Sequence, residues 1–226
     1  MSAPKLSIIV PVLNEAEGIA ATLDALAPLR AAGHELIVVD GGSHDATVPL
    51  SRERADQVLD GPRGRARQMN AGAALAQGEV LLFLHADTRL PSAADAHIAT
   101  ALAQGAVWGR FDVHIEGRSR WLPVVASLMN LRSRLSGIAT GDQAMFVRRD
   151  VFQRVGGFAD QPLMEDIELS RRLRALRRPA CLRARVVTSG RRWDSRGAWP
   201  TIVLMWRLRW RYWRGAAPDE LARAYR

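Results

Sequence analysis

Residues 81–88 decide the fold, and they read Leu81-Leu82-Phe83-Leu84-His85-Ala86-Asp87-Thr88. Four consecutive apolar residues are typical of a strand that is buried on both faces of a sheet. His85 and Asp87 follow, and residues two apart on a strand point to the same face. An imidazole and a carboxylate are therefore expected together at the carboxyl edge of an open α/β sheet, where ligands bind. Such a pair can hold a divalent cation; the alternative is that Asp87 caps the helix after Pro91.

Similar apolar runs surround this stretch. β-Branched segments at 6–12, 35–39 and 57–59 alternate with helical patterns, the first of which is expected to begin with Asn14 as its N-cap. This alternation predicts a Rossmann-like, mostly parallel sheet with helices on both faces. No Walker-type phosphate loop and no GxGxxG motif is present, so the sequence does not indicate a P-loop or an ordinary dinucleotide site.

The composition is that of one α/β domain. The chain has 226 residues, and 48% of them are hydrophobic, which is enough for a full core. The single cysteine, Cys181, allows no internal disulfide and favours a reducing compartment. No segment has the pattern of a signal peptide or the length of an apolar membrane span, so the expected location is the cytoplasm.

Positive charge is concentrated near the C-terminus. The net charge is +9, but residues 171–226 contain sixteen arginines and three acidic residues, whereas residues 1–170 carry more acidic than basic residues. This distribution indicates an anionic partner of the C-terminal quarter, which could be phosphate groups, a membrane surface or nucleic acid.

Carboxylates also follow the second predicted strand. Asp40 ends it, Gly41 and Gly42 permit a tight turn that a ligand can approach closely, and Asp45 comes about one turn later. Asp40 could bind a nucleoside through hydrogen bonds to the base or the ribose. The alternative is that Asp40 and Asp45 only hold a turn and cap a helix.

An arginine-rich segment, 61–72, opens the next helix. Arg63, Arg65 and Arg67 occupy alternate positions and cannot share one helical face, so part of the segment is expected to be loop. Arginines at a helix N-terminus make a good diphosphate site, because the helix end and the guanidinium groups both favour anions. The alternative is a solvated loop.

The second half of the chain contains another pair of carboxylates. A helix is predicted from Arg118 to Leu135, and a glycine-broken loop follows at 137–142. Glu165 and Asp166 then begin a further helix. The helix dipole favours carboxylates at that position, which is the alternative to a catalytic role.

Residues 198–214 predict an amphipathic helix. Two stripes run along it, one of Trp206, Trp210 and Trp213 and one of Arg207, Arg211 and Arg214. Tryptophan beside arginine suits a helix that lies in the interface of an anionic bilayer. The alternative is that the tryptophans pack on the protein's own core or form a dimer interface.

Six short motifs occur in a characteristic order. They are PVLNE at 11–15, DGGSHD at 40–45, the Gly/Arg-rich segment ending in Asn70-Ala71-Gly72, HAD at 85–87, Glu165-Asp166 and Arg192-Trp193. Their order resembles that of the family 2 glycosyltransferases, which have the nucleotide-sugar-binding GT-A fold. The resemblance spans about residues 6–193. It is closest to a small bacterial subgroup with FLHADT and RRW, labelled arsenosugar-biosynthesis-like or radical-SAM-associated transferase 2.

This resemblance implies one glycosyltransferase domain over residues 1–226. A nucleotide-sugar-binding half would cover about 1–115, an acceptor half 116–196 and the basic amphipathic helix 197–226. The implied reaction is the inverting, metal-dependent transfer of one sugar from a nucleoside-diphosphate sugar to a hydroxyl group. The acceptor would be a small or lipid-linked molecule, and peripheral contact with the inner face of the cytoplasmic membrane would follow.

The resemblance also implies roles for individual residues. Asp166 would be the catalytic base, with Glu165 beside it, and Asp87 with His85 would hold Mg²⁺ or Mn²⁺. The acceptor side would comprise Gly141, Asp142, Gln143, Arg192 and Trp193, the last two closing over the diphosphate. The nucleotide would contact Pro11, Asn14, Glu15, Asp40, Ser43, Asp45, Arg65, Arg67, Asn70, Ala86 and Asp87.

Two departures from the family pattern matter. His85 stands where the family has the first Asp of its DxD motif, so the identity of the metal is open. The Gln of QxxRW, a motif associated with processive synthases, is absent before Arg192-Trp193, which favours a single transfer. A nucleotidyltransferase remains an alternative, although no Gly-rich loop with Lys follows the first strand. A nucleic-acid-binding module would explain the basic C-terminus but not the carboxylates, so no nucleic-acid partner is expected.

Overall fold

The first four apolar runs form one half of the sheet. The computed structural model describes residues 4–225, apart from the side chains of Arg192, Arg196 and Ala198. The strands are β1 (Leu6–Val12), β2 (Glu35–Asp40), β3 (Gln57–Asp60) and β4 (Val80–Phe83). They lie in the order β3-β2-β1-β4 with every neighbouring pair parallel. All side chains of β1, β2 and β4 are buried, as expected of strands that helices cover on both faces.

Helices connect these strands. They are α1 (Ile19–Asp24), α2 (Ala27–Ala31), α3 (Thr47–Arg52) and α4 (Arg65–Leu75). The prediction that Asn14 caps the first helix is wrong, because α1 begins at Ile19 after Gly18. Asn14 instead has a left-handed backbone (φ 53°), a conformation that asparagine tolerates in turns. The loop after β1 is therefore longer than the sequence indicates.

The second half of the chain adds strands and helices in less regular order. They are β5 (Thr88–Arg89), α5 (Ala94–Ala103), β6 (Trp108–Glu116), α6 (Leu122–Ser136), β7 (Met145–Arg148), α7 (Arg149–Arg154), α8 (Glu165–Leu176) and β8 (Ala180–Ser189). A 3₁₀ turn, Gly141–Gln143, precedes β7.

The prediction of a mostly parallel sheet is only partly right. In the described part of the chain the strands form one eight-stranded sheet, which continues from β4 through β7, β6 and β8 to β5. β7 runs antiparallel to both β4 and β6, and β5 runs antiparallel to β8, whereas β6 and β8 are parallel. After α6 the chain enters the gap between β4 and β6 from the carboxyl edge of β4. This reversal brings the Gly141–Gln143 turn to that edge.

The core lies on both faces of the sheet. Alternate residues of β1 separate the two layers, because Ile8 and Val10 pack with α1 and α5 while Ile9 packs with α4 and α8. Helix α4 approaches β1 closely at Gly72, where an added Cβ atom would lie 2.6 Å from Ile9 Cγ2. The close packing fixes the N-terminus of α4 beside the ends of β1 and β2.

Three helices end the described chain. They are α9 (Arg191–Arg196), α10 (Ala198–Trp213) and α11 (Pro218–Tyr225), so the prediction of a helix over 198–214 is confirmed to within one residue. Leu208 of α10 and Leu221 of α11 pack against Met164, the residue before α8, in a small separate core. The C-terminal helices thus support the start of α8. Within residues 4–225, no helix is both long and apolar enough to cross a bilayer.

Candidate active site

The chain turns immediately after β4, at the position of the expected metal ligands. The strand ends at Phe83, and the backbone N–H of Thr88 donates to the carbonyl oxygen of His85 at 3.1 Å. His85 and Asp87 therefore belong to a turn, and the prediction that they share one face of a strand is wrong. Asp87 does not cap α5 either, because Ala93 is the N-cap of that helix.

His85 is directed at the Gly141–Gln143 turn. Its Nδ1 atom lies 3.3 Å from Oδ1 of Asp142, and a Cβ atom at Gly141 would lie 2.4 Å from its Nε2 atom. Partial burial opposes ionisation of Asp142. The hydrogen bond with His85 and the charges of His85, Arg65 and Arg209 outweigh that effect and lower the pKa of Asp142. An ionised carboxylate therefore lies beside the imidazole.

The residues at this corner fit a divalent cation that a ligand helps to hold. Among residues 4–225, no three His, Cys, Asp or Glu side chains come close enough to hold a metal ion by themselves. Asp142 lies beside His85, and Asp87 follows His85 by two residues in the same turn, so carboxylate oxygens, which suit Mg²⁺ and Mn²⁺, are available here. Mg²⁺ is commonly bound by one or two carboxylates together with substrate phosphates and water. The donor set is therefore appropriate for a cation shared with a diphosphate.

Glu165 and Asp166 lie at the start of α8, as predicted. Oδ2 of Asp166 accepts a hydrogen bond from the backbone N–H of Gly141 at 2.8 Å, and Oδ1 accepts one from Ile167 at 2.7 Å. Glu165 is buried, and its burial together with the charge of Asp166 raises the pKa of Glu165 from 4.5 to about 7. One of the two adjacent carboxyl groups can thus be protonated near neutral pH.

The carboxylate pair and His85 line one small cavity. The polar wall consists of His85, Gly141, Glu165 and Asp166, and the apolar wall of Met69, Phe83, Met145 and Phe158. The apolar side chains withdraw water from Glu165, which is the physical cause of its raised pKa. The structure thus brings together residues from β4, α8 and the 3₁₀ turn that are far apart in sequence.

The loops after β1 and β2 are bonded to each other. Asp40 is buried, and its Oδ2 atom accepts hydrogen bonds from the N–H groups of Gly42 (2.9 Å) and Ser43 (2.8 Å). The Ser43 hydroxyl accepts a hydrogen bond from the N–H of Asn14 at 2.8 Å, and Asn14 Oδ1 accepts one from His44 at 2.8 Å. Asp40 therefore holds the turn, the alternative that the sequence left open, and its contact with a nucleotide stays a prediction.

Asp45 also bonds the backbone of both loops, further along the chain. Its Oδ2 atom accepts a hydrogen bond from the N–H of Ala16 at 3.1 Å, and its Oδ1 atom accepts one from the N–H of Thr47 at 3.0 Å. The Thr47 hydroxyl in turn accepts a hydrogen bond from the N–H of Glu15 at 2.8 Å. The hydrogen bond from the Thr47 side chain lowers the pKa of the exposed Asp45, although some loss of hydration opposes that shift.

Gln68, which the sequence did not indicate, links the ends of the two strands that precede these loops. Its buried amide nitrogen donates to the carbonyl oxygens of Val12 and Val39, both at 2.8 Å. Pro11 lies inside β1 opposite Val39. Gln68 stands between Arg67 and Asn70, two residues predicted to contact the nucleotide, and its amide is a buried polar group on the face of α4 that packs on the sheet.

The predicted phosphate-binding residues of α4 point in different directions. Arg65 is exposed, and its charge contributes to the pKa values of Asp142 and Glu165, so it lies near the carboxylates. Arg67 instead forms an exposed ion pair with Asp160, with Nε and Oδ1 2.6 Å apart. A diphosphate beside the carboxylates would therefore lie near Arg65. Arg67 is instead paired with Asp160.

Two further predicted contacts are engaged within the protein. Asn70 donates to the carbonyl oxygen of Phe158 at 2.8 Å and accepts from its N–H at 2.9 Å, so it clamps the turn before α8. The carbonyl oxygen of Ala86 accepts a hydrogen bond from the Thr22 hydroxyl at 2.6 Å. Both interactions fix loops around the carboxyl edge of the sheet.

Gln143 holds the 3₁₀ turn and is fully buried. Its Oε1 atom accepts a hydrogen bond from the N–H of Thr140 at 3.2 Å, and its Nε2 atom donates to Asn130 of α6 at 3.3 Å. Asn130 also bonds both backbone groups of Val113 in β6. In this structure Gln143 therefore positions Gly141 and Asp142, and its contact with an acceptor stays a prediction.

The late Arg-Trp motif is only partly described. The side chain of Arg192 lies outside the described residues, and Trp193 packs against the core on the α1 side of the sheet. Its neighbour Arg191, which the sequence did not single out, forms an ion pair with Glu15, with Nη2 and Oε2 3.2 Å apart. The C-terminal segment therefore closes over the loop after β1 through Arg191.

The sequence also missed two arginines beside the carboxylates. Burial, with the nearby charge of Arg209, lowers the pKa of Arg132 to about 10, although the charge of Asp166 opposes the shift. Burial likewise lowers the pKa of Arg209, against the charges of Asp166 and Asp142. Arg132 comes from α6 and Arg209 from α10. Each is one of several arginines on its helix, and only the packing of the two helices distinguishes it from its solvated neighbours.

Comparison with known proteins places the chain in a family. The family model described as "Glycosyl transferase family 2" matches residues 7–156. A PGL/p-HBAD biosynthesis glycosyltransferase of Mycobacterium tuberculosis is 34% identical over 171 residues, which are 70% of this chain and 64% of that protein. The probable glycosyltransferase YdaM of Bacillus subtilis is 28% identical over 196 residues, 75% of this chain and 46% of that protein. The chain thus spans less than two thirds of these relatives' length.

Solved structures share the fold. Residues 1–349 of TarS from S. aureus, in complex with UDP-GlcNAc, superpose with a TM-score of 0.67 at 19% identity, covering 82% of this chain and 58% of that one. The mannosyltransferase PcManGT from Pyrobaculum calidifontis, in complex with GDP-Man and Mn²⁺, superposes with a TM-score of 0.64 at 22% identity. The match covers 99% of this chain and 69% of that one. At this level of identity the likeness concerns the α/β fold of GT-A type. From the match to residues 7–156, this chain belongs to glycosyl transferase family 2.

Proposed function

We propose that this protein transfers one sugar from a nucleoside-diphosphate sugar to a hydroxyl group of an acceptor, with inversion at the anomeric carbon. The observation that carries the proposal is the site at the carboxyl edge of β4. There His85, which pairs with Asp142, lies against Gly141, and Asp166 accepts a hydrogen bond from the N–H of the same Gly141. The subgroup defined by FLHADT and RRW stays a prediction.

The donor is proposed to lie along the ends of β1, β2 and β4. The bonded loops around Asn14, Asp40 and Ser43 form the side that would hold the nucleoside. Solved neighbours contain UDP-GlcNAc in TarS and GDP-Man in PcManGT, so both kinds of donor belong in a test. Arg65 is proposed to contact the diphosphate, since its charge acts on Asp142 and Glu165.

A divalent cation is part of the proposal. Asp87, with His85 or Asp142, would hold Mg²⁺ or Mn²⁺ together with the diphosphate. When bound, the cation would act as a Lewis acid that stabilises negative charge on the leaving diphosphate. PcManGT was solved with Mn²⁺, which makes Mn²⁺ the first ion to test.

Asp166 is the proposed base. The N–H of Gly141 holds one carboxylate oxygen, which leaves the group oriented toward the small cavity shared with His85. Asp166 would accept the proton of the acceptor hydroxyl. At the same time the hydroxyl oxygen would bond to the anomeric carbon on the face opposite the diphosphate. The bond from that carbon to the diphosphate breaks, which inverts the centre. No carboxylic acid is needed for a leaving group that is already weakly basic.

Glu165 is proposed to position the acceptor or the start of α8. Its burial and its raised pKa make Glu165 a poor candidate for an ionised base at neutral pH. A nucleotidyltransferase is the competing function, and it would release diphosphate or a nucleotide without transferring a sugar.

The first prediction concerns the donor and the cation. Incubation with UDP- and GDP-sugars should give transfer or slow hydrolysis that is lost with chelator and restored by Mn²⁺ or Mg²⁺. Asp87→Asn should weaken metal-dependent nucleotide binding, measured by thermal shift, because a bound donor stabilises the fold by mass action. The matched control is Asp60→Asn, at the exposed end of β3. Equal binding by Asp87→Asn and wild type would refute the metal assignment.

The second prediction concerns the base. Asp166→Asn should bind donor as wild type does and lose roughly 10²- to 10⁴-fold in transfer rate, the usual effect of removing a general base. Glu165→Gln should lose less. If both variants lose the same rate, or if Glu165→Gln loses more, the base is not Asp166.

The third prediction concerns the ionisation of Glu165. Its folded-state pKa is raised, so the folded state loses stability relative to the unfolded state as pH rises from 4.5 to about 7. Glu165→Gln removes this loss. Its unfolding free energy should match that of wild type near pH 4.5 and exceed it by up to about 3 kcal/mol at pH 7 and above.

Denaturant unfolding at several pH values measures this difference. Glu17→Gln, at an exposed position, is the control and should show no such pH dependence. A difference between Glu165→Gln and wild type that is the same at pH 4.5 and pH 8 would show that Glu165 is not shifted.

The acceptor is proposed to reach the site from an anionic membrane. Trp206, Trp210 and Trp213 of α10 are 70%, 59% and 81% exposed, which contradicts the alternative that they pack on the protein's own core. The guanidinium group of Arg214 lies 5.4 Å from the centre of the Trp210 ring. Rings with adjacent guanidinium groups suit the headgroup region of an anionic bilayer.

Helix α6 extends this surface. The rings of Trp121 and Trp199 are in contact, with centroids 5.4 Å apart, so the beginnings of α6 and α10 lie side by side. Exposed apolar residues continue along α6 at Val124, Leu128, Leu131 and Leu135. We call the exposed apolar residues of α6 and α10 the apolar surface. Exposed apolar residues that are grouped in this way, and not scattered singly, mark interaction sites.

The fourth prediction concerns this surface. The protein should co-sediment with anionic liposomes at low salt. Trp210→Ser combined with Trp213→Ser should weaken sedimentation without lowering the melting temperature, because both side chains are exposed. The control pair is Leu75→Ser with Leu176→Ser, exposed leucines on α4 and α8.

Three outcomes would count against a membrane. They are absent sedimentation at low salt, a tryptophan variant that melts below wild type, and a wild-type dimer in gel filtration that the tryptophan variant dissociates. The last result would assign the apolar surface to a second copy of the chain.

A further inference from the structure

Arg132 is a half-buried cation, and two of its nitrogen atoms are buried without a hydrogen-bond partner among the described residues. Its Nε and Nη2 atoms are buried and donate to no acceptor in the part of the chain that the structure describes. Burying a polar group without a hydrogen bond costs free energy, and burying a charge costs more. A side chain kept in this state is expected to have a ligand.

The surroundings of Arg132 do not neutralise its charge. Arg209 is close enough to act on it as a second positive charge, and the negative charge of Asp166 acts in the opposite sense. Asp166 already accepts two backbone hydrogen bonds. The third arginine of this region, Arg110, is fully buried and forms an ion pair with Asp112, so its charge is matched. Two guanidinium groups therefore lie near Asp166, and the one of Arg209 also lies near Asp142.

Neither arginine belongs to the loops that are proposed to hold the nucleoside. Arg132 lies on α6 and Arg209 on α10, in the half of the chain that follows the nucleotide loops. Arg209 also acts on Asp142, so the pair lies on the Asp142–Asp166 side of the cavity. The same two helices carry the apolar surface on their outer sides.

We propose that Arg132 and Arg209 form a subsite for a phosphate group of the acceptor, beside the hydroxyl that Asp166 deprotonates. This inference rests on the proposed function. A carboxylate can be satisfied by one guanidinium fork, whereas two guanidinium groups match the larger number of oxygen atoms and the higher charge of a phosphate. The phosphate could belong to a soluble phosphate monoester or to a lipid headgroup.

Calorimetric titration of the full chain with glycerol 3-phosphate tests the subsite. Chelator is present throughout, so that phosphate does not bind through a cation on the donor side, and glycerol is the neutral comparison. Wild type should bind glycerol 3-phosphate and not glycerol. Arg132→Gln and Arg209→Gln should each lose about tenfold or more in affinity, as expected when charged hydrogen bonds are removed.

Arg207→Gln is the matched control. It removes the same charge from an exposed position on α10 and should change the affinity by less than about twofold, since exposed charges contribute little. Arg132→Gln should also melt no lower than wild type, because the Nε and Nη2 atoms of Arg132 lack partners in the described part of the free protein. A loss of affinity that accompanies a lower melting temperature would indicate a structural role and overturn the proposal.

A competition experiment identifies the source of the phosphate. Phosphatidylcholine vesicles that contain phosphatidic acid should displace glycerol 3-phosphate if the acceptor is a lipid, whereas vesicles of phosphatidylcholine alone should not. Retention of the soluble ligand in both cases supports a soluble acceptor.

The proposal is overturned if both arginine variants bind glycerol 3-phosphate as wild type does, or if wild type binds it no better than glycerol. The assay needs neither donor nor turnover. Intact phosphate binding without any sugar transfer would therefore reject the proposed function and keep the subsite.

Discussion

The hydrogen bond from the N–H of Gly141 to Asp166 is the interaction on which the site depends. It joins the 3₁₀ turn to the start of α8 at 2.8 Å, and the missing side chain of Gly141 leaves room for the imidazole of His85. Gln143 fixes the same turn to α6 through Asn130. One turn of three residues therefore sets the relative positions of the end of β4, the carboxylate pair and α6. The direction of the Gly141 N–H is fixed once the turn has formed. The position of the Asp166 carboxylate therefore follows from the backbone of the turn.

On the nucleotide side, too, a few hydrogen bonds to the backbone fix the loops. Asp40, Asp45 and Asn70 each bond backbone groups of a neighbouring loop, and Gln68 bonds the ends of two strands. Buried backbone groups must find partners, and these polar side chains supply them where the strands end. The sequence presented turn-holding and ligand-binding as alternatives for Asp40 and Asp45. A side chain that holds a loop in place also fixes the loop's remaining groups, so one residue can serve both purposes.

The sequence predicted the parallel half of the sheet, the start of α8 and the C-terminal helix well, because apolar runs and helical periodicity report burial directly. It did not predict the direction of β7, since an apolar run such as Met145–Val147 looks the same in either direction. It placed His85 and Asp87 on a strand, although a turn begins after Phe83. Arg132 and Arg209 were missed because an arginine on an amphipathic helix resembles its solvated neighbours until the partner helix is known. In each case the missing information was the relation between two elements.

Met164 connects the chemistry to the end of the chain. Its left-handed backbone, with φ 66°, costs about 1 kcal/mol for a residue with a side chain, and it immediately precedes Glu165. Leu208 and Leu221 hold Met164 in place from α10 and α11. The family match ends at residue 156, before any of these residues. Leu208 and Leu221 nevertheless reach the carboxylate pair through Met164. The loss of either leucine would therefore be transmitted to Glu165 and Asp166 along the backbone, from helices that contribute no carboxylate to the site.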